Sequence, residues 1–181
     1  MATTPALMTI EQYLHTAYSP DVDFVNGDIQ ERNLGEKDHG RLQGLLFAWF
    51  LAREASFGFE AITELRMLVA PDRVRIGDVV VLDANAPDEQ VTVTPPLICV
   101  EIMSPEDRLS RAIKVLEDYR AMGVPNIWLI DPQERLAYTF GPDGLRQQED
   151  LVLRVQGPEM ALDINTLFAE LDRKKNRQTH D

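Results

Sequence analysis

Apolar positions recur along this chain at helical spacing in some stretches and in near-continuous runs in others, and the alternation marks out its elements. Within residues 36–56, His39, Leu42, Leu46, Trp49 and Arg53 fall on one stripe, and Leu45 and Phe50 widen its apolar part. That pattern predicts an amphipathic helix about five turns long. Three extended runs follow at 59–69, 74–83 and 97–103. Pro71-Asp72-Arg73 turns the first into the second, and the stretch 84–96, with three prolines, is the loop before the third. Ser104-Pro105-Glu106-Asp107 then reads as a helix start, with a hydroxyl cap, a first-turn proline and acids facing the dipole. Leu109, Ile113, Leu116 and Tyr119 or Arg120 continue at helical spacing until Gly123 and Pro125 close the helix.

Downstream, 126–131 is a strand, Pro132-Gln133-Glu134-Arg135 a turn, and 136–140 the returning strand. Gly141-Pro142-Asp143-Gly144 turns the chain again before a strand at 151–155 and a short helix at 163–171. Upstream, Thr9-Ile10-Glu11-Gln12 reads as a capping box opening a helix toward Tyr18. Residues 22–32 carry a central Asn26-Gly27, the turn signal of a hairpin.

The predicted fold is therefore α+β, a mixed sheet with helices packed on it. Its core runs helix, three-strand meander, helix, strand, with an N-terminal hairpin and C-terminal strands. The helix after Ser104 serves as a right-handed crossover to the strand at Ile127. No internal repeat or low-complexity linker divides the chain, so residues 1–171 read as one domain. Residues 172–181 read as a polar, disordered tail.

The 181 residues are 44% hydrophobic and 27% charged, ordinary for a globular chain. No apolar run is long enough to span a bilayer, so no membrane partner is expected. The first eight residues lack a signal-peptide pattern, and the single cysteine, Cys99, allows no intrachain disulfide. A cytoplasmic location is the expectation. Thirty acidic against eighteen basic residues give a net charge of −12, which repels polyanions at long range. Nucleic acid could then be approached only through a local positive rim, for which Arg66, Arg73, Arg75, Arg108 and Arg111 are the candidates. The basic run Arg173-Lys174-Lys175-Asn176-Arg177 falls in the tail and reads as a solubilising end.

Two carboxylates stand in apolar strands. Glu101 interrupts Ile98-Cys99-Val100-Glu101-Ile102-Met103, and Asp78 interrupts Arg75-Ile76-Gly77-Asp78-Val79-Val80-Val81-Leu82. A buried carboxylate without a partner costs several kcal/mol or becomes neutral, so each needs a cation, a donor or a wet cleft. Antiparallel pairing of the two strands would set them side by side, as hard cations such as magnesium require. The structural alternative makes Glu101 an ion-pair partner of Arg66 or Arg75 and leaves Asp78 capping a strand end. Glu64 and Asp23 are weaker carboxylate candidates, and Trp128 and Tyr119 read as core aromatics. Phosphate-binding glycine loops, paired zinc cysteines and a nucleophile elbow are absent.

Gly77-Asp78-Val79-Val80, Val100-Glu101-Ile102-Met103-Ser104-Pro105, Asp118-Tyr119 and Gly123-Val124-Pro125-Asn126-Ile127-Trp128-Leu129-Ile130-Asp131-Pro132 together resemble the putative restriction endonuclease family of the PD-(D/E)XK nuclease superfamily. The resemblance runs from about Thr9 to Leu171. It implies a magnesium- or manganese-dependent endonuclease acting on nucleic acid, most naturally DNA, with Asp78 and Glu101 as metal ligands. Duplex cleavage would suit a homodimer. It also implies a site role for His39. Gly77 stands where the family usually has proline, and Met103 stands where the Glu-x-Lys lysine belongs. A lysine on the following helix is implied to substitute, and Lys114 is the candidate. Lys114 is five residues before Tyr119 where four are expected, a turn of about 100° on an ideal helix. The rival expectation is a non-catalytic binding or assembly protein that keeps the fold, favoured by Met103 and the net charge.

Overall fold

The structure is a computed structural model that describes residues 8–32, 37–155 and 160–176. A short helix α1 (Ile10–Leu14) opens on the expected capping box: Thr9 accepts from the Gln12 amide, and Gln12 accepts from the Thr9 amide. The hairpin β1 (Asp23–Val25) and β2 (Asp28–Gln30) turns on Asn26 and Gly27, both with positive φ, as a two-residue hairpin of this handedness requires. Helix α2 (Lys37–Leu51) is shorter than the expected helix. Arg53 folds back, its guanidinium donating to the Trp49 carbonyl and lying 3.9 Å from the Trp49 ring centroid. A separate turn of helix, α3 (Glu54–Phe57), then ends on left-handed Gly58. Position 36, where the longer helix was to begin, lies outside the described residues.

The meander is present as β3 (Phe59–Ala70), β4 (Arg73–Asp83) and β5 (Ile98–Ile102). Helix α4 (Leu109–Met122) crosses to β6 (Asn126–Asp131), which pairs in parallel with β5. Next come β7 (Leu136–Gly141), an unanticipated β8 (Gly144–Gln147), β9 (Val152–Arg154) and a second unanticipated strand, β10 (Ala161–Asp163). The chain closes with α5 (Ile164–Asn176), which carries on five residues past the expected end at 171 and takes in part of the supposed tail. Ion pairs of Asp172 with Arg135 and of Lys175 with Asp38 tie that last stretch to the body. Residues 177–181 of the supposed tail lie outside the described residues.

The α+β expectation holds: an eight-stranded sheet in the order β2-β1-β4-β5-β6-β7-β8, with β3 also on β4, carries helices on both faces. Alternation along the strands sorts the side chains. Val79, Val81, Val100, Ile102 and Trp128 pack with Leu42, Leu46 and Phe50 of α2 and with Leu167 and Phe168 of α5. Val80, Cys99, Ile127 and Leu129 pack with Leu116 and Tyr119 of α4. Among the described residues no helix is long and apolar enough to cross a membrane.

One topological feature positions the site. β3 runs along one edge of β4, while the other edge is shared: β1 pairs at Arg73 and Val74, and β5 pairs from Val79 to Val81. Between those two partners the edge of β4 opens, and Arg75 to Asp78 lie in the fork. Side chains replace the missing ladder. Asp23 accepts from the Ile76 amide at 3.2 Å, and Asp78 accepts from the Ile102 amide at 2.8 Å. An open fork with satisfied backbone is a natural place for a polar site within an otherwise apolar sheet.

Candidate active site

Asp78 and Glu101 come together as antiparallel pairing predicts. The register Val79↔Val100 puts Asp78 opposite Glu101 on the next rung, and both line one cleft at the mouth of the fork. Asp78 is buried, its Oδ2 held by the Ile102 amide and its Oδ1 by Arg32 Nη2 at 2.5 Å. His39 Nε2 lies 3.5 Å from the same Oδ1, and His39 Nδ1 is 3.2 Å from the hydroxyl of buried Ser104. Burial opposes protonation of His39, but its hydrogen bond to Asp78 and the charge there outweigh burial and raise its pKa. Glu101 accepts from the Tyr119 hydroxyl at 2.6 Å through Oε1. Burial first, then the charge of Asp78, pushes the Glu101 carboxyl well above the usual carboxylate range; Arg32 and Tyr119 oppose this only in part.

Neither structural alternative for Glu101 is realised. Arg66 is engaged by Asp21, and buried Arg75 lies between Asp23 and Asp118 at 2.8 Å from each. Arg73 also goes to Asp118. Three of the arginines considered for a positive rim are thus committed to structural pairs. Arg108 is the N-cap of α4, and Arg111 alone of the five lines the cleft.

The start of α4 also departs from the expectation. Ser104 and Asp107 close a turn on each other: the Ser104 amide donates to the Asp107 carboxylate, and the Asp107 amide to the Ser104 carbonyl. That turn keeps 104–108 out of the helix, which begins at Leu109. From there Arg111, Ala112 and Val115 face the cleft. Lys114 is exposed on the neighbouring surface, beside Gln30, Glu31, Ser110 and Arg111, and is not among the residues lining the carboxylate cleft. Val115 occupies the position four before Tyr119, and Met103 also lines the cleft. Both positions at which a lysine was expected are therefore apolar here.

The residues present suit a hard divalent cation. Two carboxylates share the cleft, and among the described residues no protein donor reaches Glu101 Oε2, while a carboxylate oxygen such as Asp78 Oδ1 can take more than one partner. Among the described residues no group of three or more His, Cys, Asp or Glu side chains is arranged to hold a metal ion. Two carboxylates alone would leave the remaining positions of a hard cation to water and substrate phosphate.

Gly77 sits where a side chain would crowd its neighbours. A Cβ there would lie 2.5 Å from Val80 Cγ2 and 3.0 Å from Met67 Cε.

From residue 10 to residue 170 the chain matches the family model Uma2, putative restriction endonuclease. It belongs to that family. No curated protein matches the chain. Among solved structures it is similar to a putative nuclease belonging to DUF820 from Anabaena variabilis ATCC 29413. The two share 20% identity and a TM-score of 0.78, over 91% of this chain and 99% of that one. At that identity the likeness establishes the shared fold. A DrdV–DNA complex is also similar over 77% of this chain and 12% of that one, at 19% identity and a TM-score of 0.42.

Sequence reasoning missed Arg32, the closest cation to Asp78, because it arrives from the end of the early hairpin and no local pattern marks it. Asp23, taken as a weak candidate, lines the cleft while its carboxylate serves Arg75. Tyr119 is the buried aromatic expected, yet its hydroxyl belongs to the site.

Proposed function

We propose that this protein is a magnesium- or manganese-dependent endonuclease that hydrolyses phosphodiester bonds in nucleic acid, with DNA the expected substrate. The observation that carries this reading is the placement of Asp78 and Glu101 on facing rungs at the mouth of one cleft, within a chain of a restriction-endonuclease family. Asp78 and Glu101 hold the cation. When bound, it would lower the pKa of an attached water and neutralise charge on the reacting phosphodiester. Tyr119 fixes the Glu101 carboxylate and leaves Oε2 to ligate. His39, braced by Ser104, orients Asp78 from the opposite side. Arg111 at the cleft and Lys114 on the surface beside it contact flanking backbone phosphates and offset the net charge of −12. Cleavage of both strands of a duplex would place two such clefts in a two-fold dimer, acting in the cytoplasm.

A second reading is favoured by Met103 and Val115, which leave both lysine positions apolar: a binding or assembly protein that keeps the fold without catalysis. Plasmid nicking distinguishes the two. With manganese or magnesium the wild-type protein converts supercoiled DNA to the open circle, and Asp78→Ala and Glu101→Ala do not. No nicking by wild type would refute the enzyme reading, and equal nicking by wild type and both variants would refute the assignment of the site to Asp78 and Glu101.

A further inference from the structure

We infer that Arg32 is the residue that contacts the reacting phosphate, taking the place of the strand lysine that Met103 replaces; this rests on the nuclease reading above. Arg32 lies two residues past the end of β2, and its guanidinium bridges two carboxylates, Asp78 through Nη2 and Glu64 through Nη1. A guanidinium carries five donors in one plane. Among the described residues two of them are engaged by carboxylates, and the side chain, 20% exposed, lines the cleft. The planar fork matches the non-bridging oxygens of a phosphodiester, which a methionine at position 103 cannot engage.

The support beneath Arg32 is built rather than incidental. Glu64 sits in the middle of β3 with φ of 54°, a left-handed conformation unfavourable for glutamate. It interrupts the ladder opposite Asp78, between the pairs Thr63↔Val79 and Leu65↔Gly77. Gln43 on α2 holds this bend, donating to Glu64 Oε1 at 2.6 Å and to the Asp78 carbonyl at 2.9 Å. Backbone strain of this kind persists where the surroundings over-determine it, and it clusters at functional positions. Here its effect is to aim a second carboxylate at Arg32 and fix the guanidinium beside a proposed metal ligand. The other cations nearby are placed less well: Arg111 is exposed and donates to the Glu31 carbonyl, and Lys114 lies outside the cleft.

Arg32→Ala, Arg32→Lys and Glu101→Ala separate a phosphate contact from a structural counter-ion. Two readouts are used: single-turnover cleavage of a short fluorescein-labelled DNA duplex in manganese, and anisotropy of the same duplex in calcium. Arg32→Ala is expected to slow cleavage about 100-fold, the loss typical of one transition-state donor. Arg32→Lys and added guanidinium ion should each restore part of the rate, and equal sodium chloride should not. Wild-type cleavage by Arg32→Ala while Glu101→Ala is inactive would sink the Arg32 inference and leave the nuclease reading intact. So would a loss that neither lysine nor guanidinium restores, together with a lowered melting temperature. If wild type itself cleaves nothing, the nuclease reading fails and anisotropy decides: weaker duplex binding by Arg32→Ala retains the phosphate contact, and unchanged binding removes it.

Discussion

Replacing Tyr119 with phenylalanine removes one oxygen from the floor of the site and leaves the ring in place. Tyr119 is fully buried, and its hydroxyl donates to Glu101 Oε1 at 2.6 Å. A hydrogen bond between neutral groups contributes about 0.5–1.5 kcal/mol, and one to a charged partner about 1.5–3 kcal/mol. The cost of Tyr119→Phe should therefore depend on whether Glu101 is ionised. Glu101 has a folded-state pKa raised above its unfolded value, through burial and the charge of Asp78. The native state then binds more protons than the unfolded chain, starting from the unfolded pKa near 4.3. That contribution is fully present below this value and is lost as pH rises through the folded pKa. The Tyr119 bond is one of the influences holding the folded pKa down, so its removal widens the window upward. Tyr119→Phe should cost about 1 kcal/mol in acid, where Glu101 is protonated in both proteins. It should cost about 1.5–3 kcal/mol at alkaline pH, where the carboxylate has lost its donor. Urea unfolding of both proteins across the pH range reads this directly, and the same pair in a Glu101→Gln background isolates the coupling. A cost that is flat with pH, or undiminished by Glu101→Gln, would refute the proposed link between Tyr119 and the carboxylate.

Arg75→Met should lower stability by about 3–5 kcal/mol, because Asp23 would stay buried without its cation; urea unfolding measures it, and a loss under 1 kcal/mol would contradict the pairing. Gly77→Ala should cost about 1–3 kcal/mol by overpacking against Val80 and Met67, again read by unfolding. Metal-free Glu101→Gln should melt no lower than wild type at neutral pH, since the amide still accepts from Tyr119 and carries no charge to repel Asp78. Manganese should raise the melting temperature of wild type and leave that of Glu101→Gln unchanged.

The meander, the crossover helix and the facing of Asp78 on Glu101 were legible because each follows from local pattern plus one pairing rule. Two carboxylates interrupt neighbouring apolar strands, and antiparallel pairing brings them to one rung. The helix start at Ser104 was misread because Ser104 and Asp107 satisfy each other in a closed turn, and the same residue types serve caps and turns alike. β8 and β10 are too short to carry a periodic signal, and each exists through its partner strand. Arg32 could not be found from its neighbours in sequence, since its meaning comes from Asp78 and Glu64, which reach it only through the fold. The arginines proposed for a positive rim illustrate the converse. Arg66, Arg73 and Arg75 have the right charge, but acids distant in sequence claim them.

Whether Asp78 and Glu101 together hold a divalent cation is read by anomalous diffraction from crystals equilibrated with manganese. One anomalous peak is expected within coordination distance of both carboxylates, absent from crystals of Glu101→Gln grown in the same way. Wild-type crystals at saturating manganese with no peak there, and both carboxylates engaged only by protein donors, would contradict that expectation.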